Sequence, residues 1–250
     1  MRSLLVLPTY DEAENIAEVL QRLRAAAADV HVLVVDDGSP DGTARLAREW
    51  GERLGGVDVL EREEKSGLGS AYRTGFRWGL ERGYEAFVEM DADLSHDPAV
   101  VPALLEQVDA GHDLVIGSRY VPGGSIPDWT LLRRAISRGG NLYARLMLGL
   151  RVQDATAGFR AYAASALRRI DLDSVSADGY GFQVEMAYRV QKNGGSITEI
   201  PIEFRDRTLG RSKMSSRIVV EALILVTWWG LRDLPGRLSR RRRSRRAARD

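Results

Sequence analysis

Val34-Val35-Asp36-Asp37-Gly38-Ser39-Pro40-Asp41-Gly42-Thr43 decides the fold. An apolar, β-branched run from Val30 to Val35 gives way at once to acidic and turn residues, and an amphipathic segment from Asp41 to Arg53 follows. This reads as strand, turn and helix, with Asp41 placed to cap the helix. The same alternation extends in both directions. Ser3 to Leu7 reads as the first strand and Asn15 to Ala27 as the first helix. Downstream, strands at Val57 to Glu61, Ala86 to Met90 and Leu114 to Ile116 alternate with helices at Leu68 to Arg82 and Pro98 to Ala110. Asp97 caps the last of these, with proline at its first position. Such alternation signals βαβ units and a mostly parallel sheet, and four strands apolar throughout require helices on both faces.

Beyond Gly117 the pattern changes. A polar loop (Tyr120 to Asp128) leads into a helix from about Trp129 to Leu148, an extended stretch from Ala155 to Tyr162, a helix from Phe182 to Lys192 and a strand from Ile197 to Ile202.

With 250 residues, 44% hydrophobic and 28% charged, the chain is long enough to bury a sizeable core. The absence of cysteine excludes disulfides, thiol catalysis and thiolate metal sites, and three histidines (His31, His96, His112) are too few for a histidine cluster. The net charge of +1 conceals an asymmetry, because residues 237–250 hold eight arginines against one aspartate. That tail is either a solvated charge run or a contact to an anionic surface. The apolar run after Arg2 is too short for a secretory signal, and Ile218 to Leu231 is shorter than a bilayer span. The protein is therefore expected in the cytoplasm, with 218–231 a core or interfacial helix.

In an open α/β sheet, ligands gather beyond the carboxyl ends of the strands. Here the first strand runs into Pro8-Thr9-Tyr10-Asp11-Glu12, the second into Asp36-Asp37-Gly38-Ser39 and the fourth into Asp91-Ala92-Asp93. Three acidic clusters on one edge repel one another unless a cation lies among them, and a set without His or Cys suits a hard ion such as Mg²⁺ or Mn²⁺. Asp91 and Asp93 are its candidate ligands, against the reading that they form a solvated turn ahead of Pro98. Residues 36–43 are ordinary turn and cap residues, or else they present a carboxylate to a nucleoside. Gly67-Leu68-Gly69-Ser70 is similar to a phosphate loop but lacks a preceding strand and a Walker lysine.

In order along the chain, Pro8-Thr9-Tyr10-Asp11-Glu12, residues 34–43, Met90-Asp91-Ala92-Asp93-Leu94-Ser95-His96 and Gly117-Ser118-Arg119-Tyr120 resemble the motifs of family 2 inverting glycosyltransferases of the GT-A fold. Within that family the likeness is to polyprenyl-phosphate (dolichol-phosphate) mannose synthases. It continues through Trp129 to Arg134, Asp154-Ala155-Thr156-Ala157-Gly158-Phe159-Arg160, Gly179 to Met186 and Phe204 to Lys213, covering residues 3 to 230.

The resemblance implies an α/β, Rossmann-like GT-A catalytic domain over 1–214, with a nucleotide-binding half to residue 117 and an acceptor half from 118. An amphipathic, interfacial helix over 215–232 and a basic tail over 233–250, expected to be disordered, complete the chain. It implies transfer of mannose from GDP-mannose to a polyprenyl (dolichyl-type) monophosphate with Mg²⁺ or Mn²⁺ as cofactor. Pro8, Tyr10, Glu12, Val35 and Asp37 would hold the guanosine. Asp91, Ala92 and Asp93 would face the diphosphate, Asp93 being the main metal ligand beside Asp91. Arg119, Arg133, Arg207 and Lys213 would gather the donor diphosphate and the acceptor phosphate. Ser95 departs from the pattern, since some relatives carry Gln there.

These residue types suit that reaction. A phosphate monoester has a second pKa near ~6, so the nucleophile is an anion at neutral pH and needs no strong base. The difficulty is to bring two anions together and to stabilise the leaving diphosphate, which cation and Arg/Lys clamps accomplish. Without such a role, Arg133 would be a solvated helix charge, and Arg207 and Lys213 part of a polar loop. Glu185 is expected as a structural carboxylate partnered by an arginine such as Arg160, and His96 as a cap or packing residue. Trp228-Trp229 is either core or an interfacial belt. An isoprenoid acceptor stays in the membrane, so the enzyme is expected at its cytoplasmic face, held by the 218–231 helix and the arginine tail, with room for a membrane-embedded partner and no nucleic acid. Two rival readings are a polyprenyl-phosphate transferase using UDP-glucose or another sugar nucleotide, and a non-catalytic membrane or nucleic-acid adaptor.

Overall fold

The structure, a computed structural model, describes residues 1–206 and 220–234. Seven strands, β1 (Ser3–Thr9), β2 (His31–Asp36), β3 (Val57–Glu61), β4 (Ala86–Glu89), β5 (Leu114–Ser118), β6 (Arg160–Ala163) and β7 (Ile197–Pro201), form one sheet in the order β3-β2-β1-β4-β6-β5-β7. All neighbours are parallel except β6, which runs antiparallel to both β4 and β5. Around it lie α1 (Ile16–Ala26), α2 (Thr43–Leu54), α3 (Leu68–Glu81), α4 (Val101–Asp109), α5 (Leu131–Leu148), α6 (Ala164–Arg169) and α7 (Gly179–Lys192).

The period-two geometry of a strand sends successive side chains to opposite faces, and both faces of β1 and β2 are buried. Leu4, Val6, Leu33 and Val35 join Tyr72 and Phe76 of α3 and Phe182 of α7 on one side. Leu5, Leu7, Val32 and Val34 meet Ile16 and Leu20 of α1 and Leu104 of α4 on the other. This is the three-layer arrangement that the uninterrupted apolar strands predict. Helix α3 lies close against the sheet because Gly75 and Gly79 face it. A Cβ on Gly75 would stand 2.4 Å from a Val6 methyl.

Four features differ from expectation. The helix anticipated over 98–110 is a short 3₁₀ turn (Pro98–Val100) followed by α4, although Asp97 does cap it by accepting from the Ala99 amide at 3.0 Å. Asp41 caps from one position earlier than usual, accepting the Thr43 amide at 3.0 Å while Gly42 occupies the N-cap position. The extended stretch anticipated over 155–162 contracts to β6, since the buried Arg160 guanidinium donates to the carbonyls of Ala155 and Ala157 (2.7 and 2.6 Å) and gathers residues 155–158 into a loop. Helix α6 was not anticipated at all.

The strand order reverses between β1 and β4, the switch point at which open sheets form ligand crevices. Thr9, Asp36 and Glu89, the last residues of β1, β2 and β4, end on this one edge. Residues 220–234 form the last described helix. It docks on α5 through Tyr143 Oη and Thr227 Oγ1, 2.5 Å apart. The tryptophan pair is divided: Trp229 is buried in the core and Trp228 is 55% exposed. Among the described residues no helix is long and apolar enough to cross a membrane. The beginning of the expected 215–232 helix and the arginines of 237–250 lie outside the described residues.

Candidate active site

A cavity of about 780 Å³ opens at the switch point. Pro8, Tyr10, Glu12 and Asp37 line one end, Asp91, Ala92 and Asp93 its middle, and Arg119 and Arg133 its far side. The structure thus brings together nine of the twelve predicted site residues, eight from at or beyond the carboxyl ends of β1, β2, β4 and β5 and Arg133 from α5. Val35 is the exception. It is fully buried in the sheet core, because its place in β2 sends its side chain under α3 and away from the crevice. Arg207 and Lys213 lie outside the described residues.

The adjacent carboxylates of the Asp36-Asp37 pair do different work. Asp36 is wholly buried and braces the loops, accepting from Thr9 Oγ1 (2.7 Å), Ser39 Oγ (2.6 Å) and the Ser39 amide (2.8 Å). Asp37 faces the cavity and is gripped by Arg62, whose Nε donates to Oδ1 at 2.6 Å and whose Nη1 reaches Ser70 Oγ at 2.7 Å. Lys65 stands over the Tyr10 ring, its Nζ 3.9 Å from the centroid. Arg62 and Lys65 were not anticipated, for they follow β3 in a stretch without a recognisable motif.

Gly67-Leu68-Gly69-Ser70 opens α3, but it is no anion cradle. The Asp178 carboxylate accepts from the Gly69 amide at 2.6 Å and fills the space in which a Gly67 side chain would stand. A carboxylate at a helix N-terminus is favourable, so this end of α3 is already satisfied by the protein itself. The glycines are there to admit Asp178.

Asp91 is part-exposed and accepts from Tyr72 Oη at 3.4 Å, while Asp93 is buried and takes the Ser95 amide at 3.1 Å. Burial, and then the negative charge of Asp91, push the Tyr72 phenol well above its ordinary pKa, so Tyr72 stays a proton donor to Asp91. His96 is a packing residue, buried with its ring 4.9 Å from Phe159 and 5.4 Å from Phe204 and its Nε2 3.6 Å from Asp91 Oδ2. Among the described residues no three His, Cys, Asp or Glu side chains form a metal cage by themselves. Two carboxylates with the buried, unpartnered hydroxyl of Ser95 beside them nevertheless fit a small hard cation, which keeps several waters and takes part of its oxygen shell from a bound diphosphate.

On the far side, Arg119 is buried and its Nε and Nη2 donate to both oxygens of Asp154, each at 2.7 Å. Nη2 also donates to Thr156 Oγ1 at 2.9 Å, which leaves Nη1 without a hydrogen bond among the described residues. Burial works to lower the Arg119 pKa and to raise that of Asp154, but the hydrogen bonds and charges of the pair outweigh it in both, keeping each ionised. Arg133 lies at the mouth, its Nη1 2.8 Å from both oxygens of Asp206 and its guanidinium 4.0 Å above the Trp129 ring. Tyr180 adds a phenol between the two arginines and Asp91, its pKa raised by burial against the pull of Arg119 and Arg133. The signal for Asp154, Tyr180 and Asp206 was the same, the resembling segments in which they sit, and none of the three was singled out within them. Glu185 is a buried structural carboxylate as expected. Its partner, however, is Arg189 one turn along α7 (Nε 2.8 Å) and not Arg160, whose donors are taken by backbone carbonyls.

Residues 4–171 match the model of the family described as glycosyl transferase family 2. The chain is 54% identical to an undecaprenyl-phosphate mannosyltransferase of Micrococcus luteus over 92% of its length and 95% of the relative's. It is 49% identical to a polyprenol monophosphomannose synthase of Mycolicibacterium smegmatis, over 96% of this chain and 90% of that one. Among solved structures, glucosyl-3-phosphoglycerate synthase from Mycobacterium tuberculosis, in complex with Mn²⁺, UDP-glucose and phosphoglyceric acid, superposes with a TM-score of 0.67 at 21% identity, covering 90% of this chain and 79% of that one. The crevice at the strand-order reversal is thus the place where a GT-A sheet presents its acidic strand ends, and the chain belongs to glycosyl transferase family 2.

Proposed function

We propose that this protein transfers mannose from GDP-mannose to a polyprenyl (dolichyl-type) monophosphate with inversion at the anomeric carbon. The observation that carries the reading is one cavity with carboxylates at its centre and guanidinium groups at its mouth, opening beside helices that expose apolar side chains. Relatives named for mannosyl transfer to undecaprenyl phosphate and for polyprenol monophosphomannose synthesis support the choice of sugar and acceptor.

In this reading Pro8, Tyr10, Glu12 and Asp37 hold the nucleoside, and Arg62 fixes the Asp37 carboxylate as an acceptor for base N–H groups. Asp91 and Asp93, with the Ala92 backbone between them, would hold Mg²⁺ or Mn²⁺. That ion, when bound, neutralises charge on the departing diphosphate. Arg119 Nη1 and Arg133, joined by Arg207 and Lys213, orient the acceptor phosphate. One of its oxygens attacks the anomeric carbon from the face opposite the diphosphate; the new C–O bond forms as the old one breaks, and its electron pair leaves on GDP. The attacking group is already anionic, so no side chain need remove a proton.

The nucleotide-binding half comprises 1–117 and the acceptor half 118–214. In the same reading the helix expected over 215–232 and the arginine-rich 233–250 segment serve a peripheral position at the cytoplasmic face of the membrane, whose anionic lipids attract basic segments. The test incubates purified protein with polyprenyl phosphate and Mg²⁺ or Mn²⁺, offers labelled GDP-mannose and UDP-glucose in parallel, and follows label into the lipid phase. Mannose in lipid, lost with Asp93→Ala and with chelator, is expected. Glucose in lipid would replace the donor, and transfer from neither would overturn the reading.

A further inference from the structure

Gln183, in the first turns of α7, is only 2% exposed; its amide faces the buried Glu89 carboxyl, and no other group among the described residues completes its hydrogen bonds. Buried amides are almost always fully satisfied, and the hydrogen-bonding capacity of this one that Glu89 does not use stands at a cavity wall, where a ligand completes it. Gln183 lines the same cavity as Asp91. Between them is Gly158, whose missing side chain would stand 3.6 Å from Asp91 Oδ2 and 3.9 Å from Gln183 Nε2. The glycine therefore leaves open a space bounded by a carboxylate on one side and an amide on the other.

The platform is rigid. Arg160 donates through Nη1 to the Gln183 carbonyl at 2.7 Å and through its other nitrogens to Ala155 and Ala157, so one buried side chain fixes both α7 at Gln183 and the loop that holds Gly158. Phe182 stacks on Tyr72, with ring centroids 5.8 Å apart, and Tyr72 donates to Asp91. Gln183 and Asp91 are thus held in a fixed relation. A primary amide offers a donor and an acceptor a short distance apart, which complements neighbouring sugar hydroxyls, each of them both donor and acceptor.

Resting on the function proposed above, we infer that Gln183 is a specificity-determining residue that binds hydroxyl groups of the transferred hexose, in the space left by Gly158 beside Asp91. The chain then reads its donor twice, the nucleoside at the Asp37 end and the sugar at Gln183. Gln183→Leu removes both polar atoms and leaves a shorter, apolar side chain that still packs in the core.

The experiment measures kcat/KM for GDP-mannose and for its monodeoxy analogues, and the inhibition constant of GDP, for the full-length wild type and for Q183L. Gln183→Glu, which keeps the acceptor and loses the donor, serves as a second variant should Q183L fail to fold. The inference expects kcat/KM for GDP-mannose to fall about 10- to 100-fold in Q183L while the GDP constant is unchanged. At least one deoxy analogue, poor with the wild type, should lose little further in the variant, because the interaction is already missing. Equal losses for GDP-mannose and every analogue, or a parallel loss of GDP affinity, would make Gln183 merely structural and overturn the inference. A wild type that discriminates against no deoxy analogue would do the same. Absence of any mannose transfer by the wild type would instead overturn the underlying function.

Discussion

Arg119 and Asp154 are joined by two parallel hydrogen bonds of 2.7 Å, and the Arg119 amide adds a third to the same carboxylate at 3.0 Å, with both side chains almost fully buried. The pair fixes the end of β5 to the loop before β6 and leaves Arg119 Nη1 without a hydrogen bond among the described residues. The arginine that the sequence offers as a phosphate clamp is, in the structure, a tie between β5 and that loop.

Asp154→Asn leaves that guanidinium buried without its counter-charge. Stability is expected to fall by about 3 kcal/mol, the usual cost of breaking such a pair. Its pH dependence follows from the sign of the shift. Asp154 has a folded pKa below its unfolded value, so its contribution is complete above roughly pH 4 and is lost as the pH falls through the depressed value. Thermal melts of wild type and D154N between pH 3 and pH 7 check this; curves that stay parallel to the lowest pH would refute it.

Glu89 supplies the opposite case. It is wholly buried at the end of β4, opposite Arg160 in the register, and burial pushes its pKa to about 7 although the Arg160 charge pulls it down. The folded state then holds a proton that the unfolded state releases between roughly pH 4.5 and 7, so this residue lowers stability as the pH rises through that window. The full effect is on the order of 3 kcal/mol. Glu89→Gln is expected to flatten the dependence and to melt higher than the wild type at pH 8. A wild type whose melting temperature does not decline across the window on account of this residue, leaving the two proteins parallel, would contradict the assignment.

Helix α5 exposes Leu131, Leu132, Ile136, Leu142 and Leu146, and the 220–234 helix beside it exposes Leu223, Ile224, Trp228 and Leu231. An apolar surface of this extent with arginines around it suits a lipid interface. Ile136→Glu and Leu146→Glu together are expected to weaken binding to anionic vesicles several-fold while GDP-mannose binding in solution is unchanged. Removing 237–250 should act in the same direction and more strongly at low salt, since each basic residue near an anionic surface contributes roughly 1 kcal/mol. Flotation of the variants with vesicles of graded anionic content reads both effects; unaltered flotation would show that these surfaces do not meet lipid.

Strand and helix alternation, the acidic strand ends and the ordered motifs were legible without coordinates, because local periodicity and turn chemistry are written residue by residue. So were the place of Asp91 and Asp93 on one cavity, the cap at Asp97 and the buried role of Glu185. Periodicity and turn chemistry alone settle the layered α/β class and the edge of the sheet on which the acidic strand ends gather. Tertiary structure alone decided that β6 runs antiparallel, that Asp36 braces a loop while Asp37 faces the crevice, that Val35 turns into the core, and that Asp178 fills the end of α3. It also brought Arg62 to Asp37 and Gln183 to Asp91, 92 residues away in the chain. The reason is physical: a carboxylate or guanidinium has the same local signature whether its partner is a neighbouring side chain or a ligand, and only the packing of distant segments selects which partner it meets.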